Sequence, residues 1–357
     1  MRVAVVGGGI NGIMSAAAIR SYGHEVVVLE RFGLVSQTSS VSTKLLHGGL
    51  RYLEQGSFGL VREALTERAW WLREAPELCQ PIRLVLPVWS GKGRSPWILR
   101  AGLWLYDRLA GKAAIAPHQW LDRDATIAAS PGLHPEGLRG SFAFWDGQMD
   151  DRLLGLWAAD RARGMGVHFR EYSRVDRIAE DGTVWMDGGS ERFDCVVNVA
   201  GPWAAALLTN SGIKSRNSLD LIRGSHLVIS RPCPSAILAQ VNNERRIAFI
   251  LPWKGGTLLG TTEVRQQLNA PIECSVDERA YLYRFHDQLM AESLRDDEVV
   301  QTFAGLRPLI RSAVDPTRAS REYEIERHGR IVTVFGGKWT TARALGVRVA
   351  VEVSKTA

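Results

Sequence analysis

The chain predicts an α/β fold: a parallel sheet drawn from three separate stretches of sequence, with an α+β domain on a mostly antiparallel sheet inserted between them. Three observations predict it. Short β-branched runs meet glycine corners near residues 2–6, 192–200 and 330–335, and helical composition follows the first and last of them. The stretches between have another character, with 75–138 rich in Pro and Trp and 219–303 carrying runs such as LIRGSHLVI, RIAFILPW and GTLLGTTEV. The chain's 357 residues, 45% hydrophobic and 23% charged, suffice for two packed domains and exclude a fibrous or natively unfolded chain.

Residues 2–6 are the first strand, followed by Gly7-Gly8-Gly9-Ile10-Asn11-Gly12, a helix that stops at Gly23, and a second strand at 25–30. In that order the glycines acquire distinct tasks. Gly7 allows the tight turn, Gly9 lets backbone approach a pyrophosphate, Gly12 lets the helix pack on the strand, and Glu30 stands where an acid binds adenosine ribose hydroxyls. This dinucleotide signature suits NAD and FAD alike. The following segment, Ser36-Gln-Thr-Ser-Ser-Val-Ser-Thr-Lys44, favours FAD, because Ser39, Ser40, Ser42, Thr43 and Lys44 can line a second phosphate and a ribityl chain. A solvated Ser/Thr loop would have similar composition.

Further strands are expected at 167–174, 183–186 and 192–200, the last closing on a small-residue corner, Ala200-Gly201, at the ligand side of the sheet. The strand at 330–335 runs into Gly336, Gly337 and Lys338 before a helix at 340–353. Cofactor contacts are accordingly expected from Val175, Ala200, Gly201, Gly337, Lys338 and Thr340. One domain then comprises 1–75, 139–218 and 304–357. The substrate domain comprises 76–138 and 219–303, with a charged helix at 276–293 and helices on one face of its sheet.

The N-terminus lacks the h-region of a secretory leader, and polar residues interrupt the charge-free stretch 195–213, which reads as strand, turn and helix. Cys79, Cys195, Cys233 and Cys274 lie far apart, so neither a metal site nor a redox pair is expected, and reduced thiols suit the cytoplasm. The net charge of +6 favours an anionic partner, while the absence of long basic runs argues against nucleic acid. Residues 97–106, WILRAGLWLY, suit a helix packed on the substrate domain or one lying in a membrane interface.

Several motifs occur in order across nearly the whole chain: SSVSTKLLHGGLRYLE (39–54), LVREALTER (60–68), RGSH (223–226), LPW (251–253), LLGTTE (258–263), GLRPL (305–309) and GGKWTT (336–341). In these the sequence resembles the FAD-dependent glycerol-3-phosphate dehydrogenases, within the D-amino-acid-oxidase-like flavoproteins. Many members carry a further C-terminal helical domain, whereas this chain stops after the helix following Lys338. Trp339 replaces a smaller aliphatic residue usual in the family.

The resemblance implies FAD as cofactor, a Rossmann-like FAD domain, and oxidation of sn-glycerol 3-phosphate, or a related anionic hydroxy compound, by hydride transfer to flavin N5. It places Arg51, Tyr52, His226, Arg307, Arg321 and Lys338 around the substrate, with His47 and Gly48 beside the flavin in a positioning role. Arg51 and Arg321 suit a phosphate clamp, to which Tyr52 adds a hydroxyl. Arg307 stays protonated and so stabilises charge, whereas His226 titrates near neutrality and can be a base or a hydrogen-bonding residue. Lys338 would stabilise reduced flavin. Implied partners are a small anionic substrate and a quinone or other acceptor, with peripheral contact at the inner membrane face and an oligomer left open. An amino-acid or 2-hydroxy-acid oxidase or dehydrogenase on the same fold, and a non-catalytic FAD-binding subunit, are the alternatives.

Overall fold

The computed structural model describes residues 1–91, 93–242, 244, 246–311 and 323–355. Its six-stranded sheet runs in the order Tyr323–His328, Ile331–Gly336, Cys195–Asn198, Arg2–Val6, Glu25–Leu29 and His168–Arg170. All neighbours are parallel except the hairpin Tyr323–His328/Ile331–Gly336. Val3 pairs with Val26 on one side and Cys195 on the other, and Val196 pairs with Ile331, so the sheet joins the beginning, middle and end of the chain.

Successive residues of these strands serve opposite faces, as period two requires of a sheet buried on both sides. Val3, Val5, Val26, Val28 and Val197 pack with Ile13, Ala16 and Ile19 of the helix Ile10–Ser21 and with Leu345 and Val349 of Ala342–Ser354. Ala4, Val27, Val196 and Phe335 instead meet Leu207 and the three-stranded sheet that carries Ile178, Val184 and Met186. The two helices on the first face approach so closely that a Cβ on Gly346 would lie 2.5 Å from the Met14 carbonyl oxygen.

The second sheet has ten strands, with Leu219–Ile229, Gly256–Gly260, Ile247–Trp253, Ala236–Gln240, Cys79–Trp89 and Leu138–Met149 as successive neighbours along its middle. Val299–Ile310 pairs antiparallel along Leu219–Ile229. Its pairings are antiparallel apart from Ala236–Gln240 with Cys79–Trp89.

Two expectations need correction. Residues 139–149, assigned to the parallel-sheet domain, belong to Leu138–Met149, which pairs with Cys79–Trp89 along its length and therefore lies in the second sheet. Residues 304–310 likewise continue Val299–Ile310 in that sheet. Helices also cover both of its faces. Leu103 and Tyr106 of Pro96–Ala110 pack with Leu84, Phe144, Leu238, Leu251 and Leu258, while Leu282, Phe285 and Leu289 of Val276–Leu289 pack with Leu227, Ile237, Ile250 and Leu259. Because Ile237/Leu238, Ile250/Leu251 and Leu258/Leu259 are chain neighbours, the two clusters lie on opposite sides.

Candidate active site

A cavity of about 470 Å³ is lined by all three glycine corners and by residues of the second sheet. At the first corner Gly7 has φ +114°, and a Cβ there would lie 2.6 Å from the Val199 carbonyl oxygen. A Cβ on Gly12 would lie 1.9 Å from the Gly7 carbonyl oxygen, so neither position admits a side chain without backbone movement. Glu30 accepts from the Gly8 and Phe32 amides at 2.5 and 2.8 Å, which ties the ribose-side acid to the glycine loop. Gly9, Val175, Ala200, Gly201, Gly337 and Thr340 complete this wall.

The hydroxyl-rich segment splits in two. Ser39, Ser42 and Thr43 line the cavity. Ser39 Oγ accepts from the Ile10 amide at the helix start (3.0 Å), and its carbonyl accepts from Trp339 Nε1 (2.9 Å), joining the first corner to the last. Lys44 does not contact the cavity. Its left-handed backbone (φ +61°) places Nζ 2.6 Å from Asp151 Oδ1 and 2.7 Å from the Ser40 carbonyl, over the Trp253 and Phe303 rings. Buried between these partners, it is a structural cation and not a phosphate ligand. Ser40, whose hydroxyl donates to the Gln37 carbonyl, and Gly48, whose amide is held by Tyr106 and Asp146, also lie off the cavity wall.

His47, Arg51, Tyr52, His226, Arg307 and Lys338 line the same cavity. Lys338 Nζ sits 3.9 Å from the Tyr52 ring centroid. Arg307 Nη2 donates to Thr261 Oγ1 and the Thr262 carbonyl, both at 2.9 Å, and Nη1 to Glu263 Oε1 at 3.4 Å. His226 stacks on Phe303 with centroids 4.8 Å apart, its Nε2 lies 3.0 Å from Thr43 Oγ1, and its Nδ1 is buried without a partner among the described residues. Burial, then the charges of Arg307 and Lys44, push the imidazole well below the usual histidine range. Arg321 lies outside the described residues. Glu263, overlooked in the sequence, lines the cavity beside Arg307; its place at the end of LLGTTE is the available signal. The apolar wall of Leu84, Phe144, Leu238, Ile247 and Phe249 gives no motif at all.

These residues fit a long dinucleotide. The glycines leave the room that side chains would fill, and Asn11 Oδ1 and Ser36 Oγ, on residues lining the cavity, are buried without partners among the described residues. A doubly covered parallel sheet with such a cavity, opening onto a cluster of cations and a histidine, defines a dinucleotide-dependent oxidoreductase.

Comparison with known proteins gives the family. The profile of the FAD dependent oxidoreductase family (DAO) matches residues 2–350. A glycerol-3-phosphate dehydrogenase of Pseudomonas aeruginosa is 37% identical over 362 residues, covering 96% of this chain and 69% of the relative. A D-erythritol 1-phosphate dehydrogenase of Brucella abortus is 36% identical over 366 residues, covering 96% and 72%. The structure of the glycerol-3-phosphate dehydrogenase from Bacillus halodurans complexed with FAD superimposes with a TM-score of 0.79 at 24% identity, covering 99% of this chain and 64% of that one, so the chain spans less than two thirds of it. The chain belongs to the FAD-dependent oxidoreductase family, with FAD as its cofactor.

Gly12→Ala is expected to yield folded but colourless protein, because the methyl group must displace the Gly7 carbonyl from the wall of the cofactor cavity. Full flavin content in the purified variant, read from its visible absorbance against protein concentration, would contradict this.

Proposed function

We propose that this protein oxidises the secondary hydroxyl of sn-glycerol 3-phosphate, or of a closely related phosphorylated polyol, to the ketone. The observation that carries the reading is that Arg51, Arg307 and Lys338 line the FAD cavity together with a neutral His226. The relatives from P. aeruginosa and B. abortus, named for oxidation of two phosphorylated polyols, support the class. The glycine corners, Ser39, Thr43 and Glu30 would hold FAD along the cavity, and the bound cofactor would supply two-electron oxidation of the carbinol carbon.

The chain's own residues do the rest. Arg51 grips the phosphate through its planar guanidinium donors, and Tyr52 adds a hydroxyl. Thr43 fixes one imidazole nitrogen of His226, while the other has no partner among the described residues. The depressed pKa keeps the ring neutral at pH 7 and able to accept the substrate's hydroxyl proton. Arg307, pinned by Thr261, Thr262 and Glu263, stabilises the oxygen as that proton leaves. Lys338 brings positive charge to the last glycine corner.

Electron delivery to a lipid-soluble quinone at a membrane surface is the second part of the proposal. The helix Pro96–Ala110 exposes Trp97 (76%), Ile98 (62%) and Trp104 (54%), with Arg108 against the Trp104 ring. Beneath it a second cavity of about 1130 Å³ shares Leu50, Arg51, Leu238 and Ile247 with the first, which supports an acceptor route from that face. Among the described residues, no helix is long and apolar enough to cross a membrane.

Anaerobic addition of glycerol 3-phosphate should bleach the flavin's visible band, whereas 2-hydroxyglutarate, glycine and D-alanine should not. Bleaching by one of the latter alone would move the assignment to amino or hydroxy acids, and no bleaching by any would favour a non-catalytic FAD-binding role. With His226 as base, kcat/KM should stay level as pH falls to 6.5 and decline only below it, since the folded-state pKa lies under that value. His226→Gln should lower kcat by about 100-fold or more. An acid limb centred above 6.5, or unimpaired turnover in the variant, would remove His226 from that role. Anionic vesicles should sediment the protein, and the double variant Trp97→Ser/Trp104→Ser should stay in the supernatant while reducing a water-soluble dye normally. Equal sedimentation of both proteins would count against this face.

A further inference from the structure

A buried ionic cluster unused by the proposed chemistry lies beside the turn that bears Arg51, with Asp146 itself on the cavity wall. Asp146, on Leu138–Met149, places one carboxylate oxygen, Oδ1, 2.7 Å from the Tyr106 hydroxyl, 2.8 Å from Arg68 Nη1 and 3.1 Å from the Gly48 amide. The Gly48 amide lies 2.9 Å from the Tyr106 oxygen as well. Arg68 is fixed in turn by the carbonyls of Trp145 (3.0 Å) and Ala113 (2.9 Å). All three side chains are buried, and burial beside Asp146 pushes the Tyr106 hydroxyl far above the usual tyrosine range, so it remains a donor.

What this cluster holds is a hinge. Gly48 has no room for a side chain, since a Cβ would lie 2.3 Å from the Tyr106 oxygen and 2.4 Å from Leu65 Cδ2. The next residue, Gly49, is left-handed (φ +75°) and opens the short turn Leu50–Gln55 that delivers Arg51 and Tyr52 to the cavity. An amide pinned immediately before a left-handed pivot sets the direction of everything that follows it.

We propose that Asp146 and Tyr106, locked by Arg68, are positioning residues that fix the Arg51–Tyr52 turn through the Gly48 amide and so determine affinity for the phosphate of the substrate. The proposal rests on Arg51 as a phosphate clamp. It assigns no proton transfer to the cluster; the effect is that of preorganisation, holding a charged ligand's partners in place before it arrives.

Tyr106→Phe removes the single oxygen that touches both Gly48 and Asp146 and leaves the Arg68–Asp146 pair intact, so it is the milder probe; Asp146→Asn is the stronger one. Tyr106→Phe is expected to raise KM for glycerol 3-phosphate at least about fivefold and the inhibition constant of inorganic phosphate in parallel. Its kcat should stay within about twofold, with flavin content unchanged. In an Arg51→Ala background the same substitution should lose most of its effect on KM, because of the groups it positions only the Tyr52 hydroxyl remains. If Arg51→Ala raises KM but Tyr106→Phe lowers only the melting temperature, the cluster is merely structural and the proposal fails while the clamp stands. If the Tyr106→Phe effect on KM persists without Arg51, the proposal is likewise overturned. A KM unmoved by Arg51→Ala would instead sink the clamp assignment, and with it this inference.

Discussion

The fold depends first on how closely one helix approaches the end of one strand. Gly12 rests against the Gly7 carbonyl at a distance that excludes even a methyl group, and that contact seats Ile10–Ser21 low on the sheet. From there Ile13, Ala16 and Ile19 reach the core, the first helical amide reaches Ser39, and Met14 presents backbone to Gly346 of the last helix. The cofactor cavity lies where these constraints meet, at the carboxyl ends of the parallel strands, and the positive end of the helix faces it.

Around that frame, buried charge places the loops. Three ion pairs stand behind segments that face the cavity: Lys44–Asp151 at 2.6 Å, Arg68–Asp146 at 2.8 Å and Arg223–Glu278 at 2.7 Å. Such pairs add little net stability, since loss of hydration offsets most of their attraction. Their effect here is geometric. Asp151 also binds the Ser42 amide and hydroxyl beside Thr43, and Glu278 takes hydrogen bonds from Ser225, next to His226, and from Thr262, whose carbonyl receives Arg307. Thr43, His226 and Arg307 are thus each next to, or bonded to, a residue held by a buried carboxylate.

Much of this was legible in the sequence, and the rest was not for identifiable reasons. Strand, glycine corner and helix are local patterns, so Arg2–Val6, Ile10–Ser21 and Ile331–Gly336 stand where composition put them. Lys44 read as a ligand because a lysine after hydroxyl residues looks like a phosphate donor; a left-handed backbone angle and a partner 107 positions away reversed its direction. Asp146 lies in no motif and Glu263 only at the end of one, since each matters through residues distant in the chain. Helices on both faces of the second sheet escaped notice because the runs at 236–240, 247–253 and 256–260 are apolar almost throughout, which hides the alternation that would have assigned each side.

The interleaving of the first sheet sets an order of assembly at odds with the order of synthesis. Arg2–Val6 is made long before its neighbour Cys195–Asn198, and the strand beyond that one, Ile331–Gly336, is made later still. Until then the nascent chain carries an apolar strand with an unpaired edge, a state open to wrong pairing and to capture by chaperones. A chain interrupted before residue 331 would carry this sheet without an inner strand, so completion of the sheet waits on Ile331–Gly336.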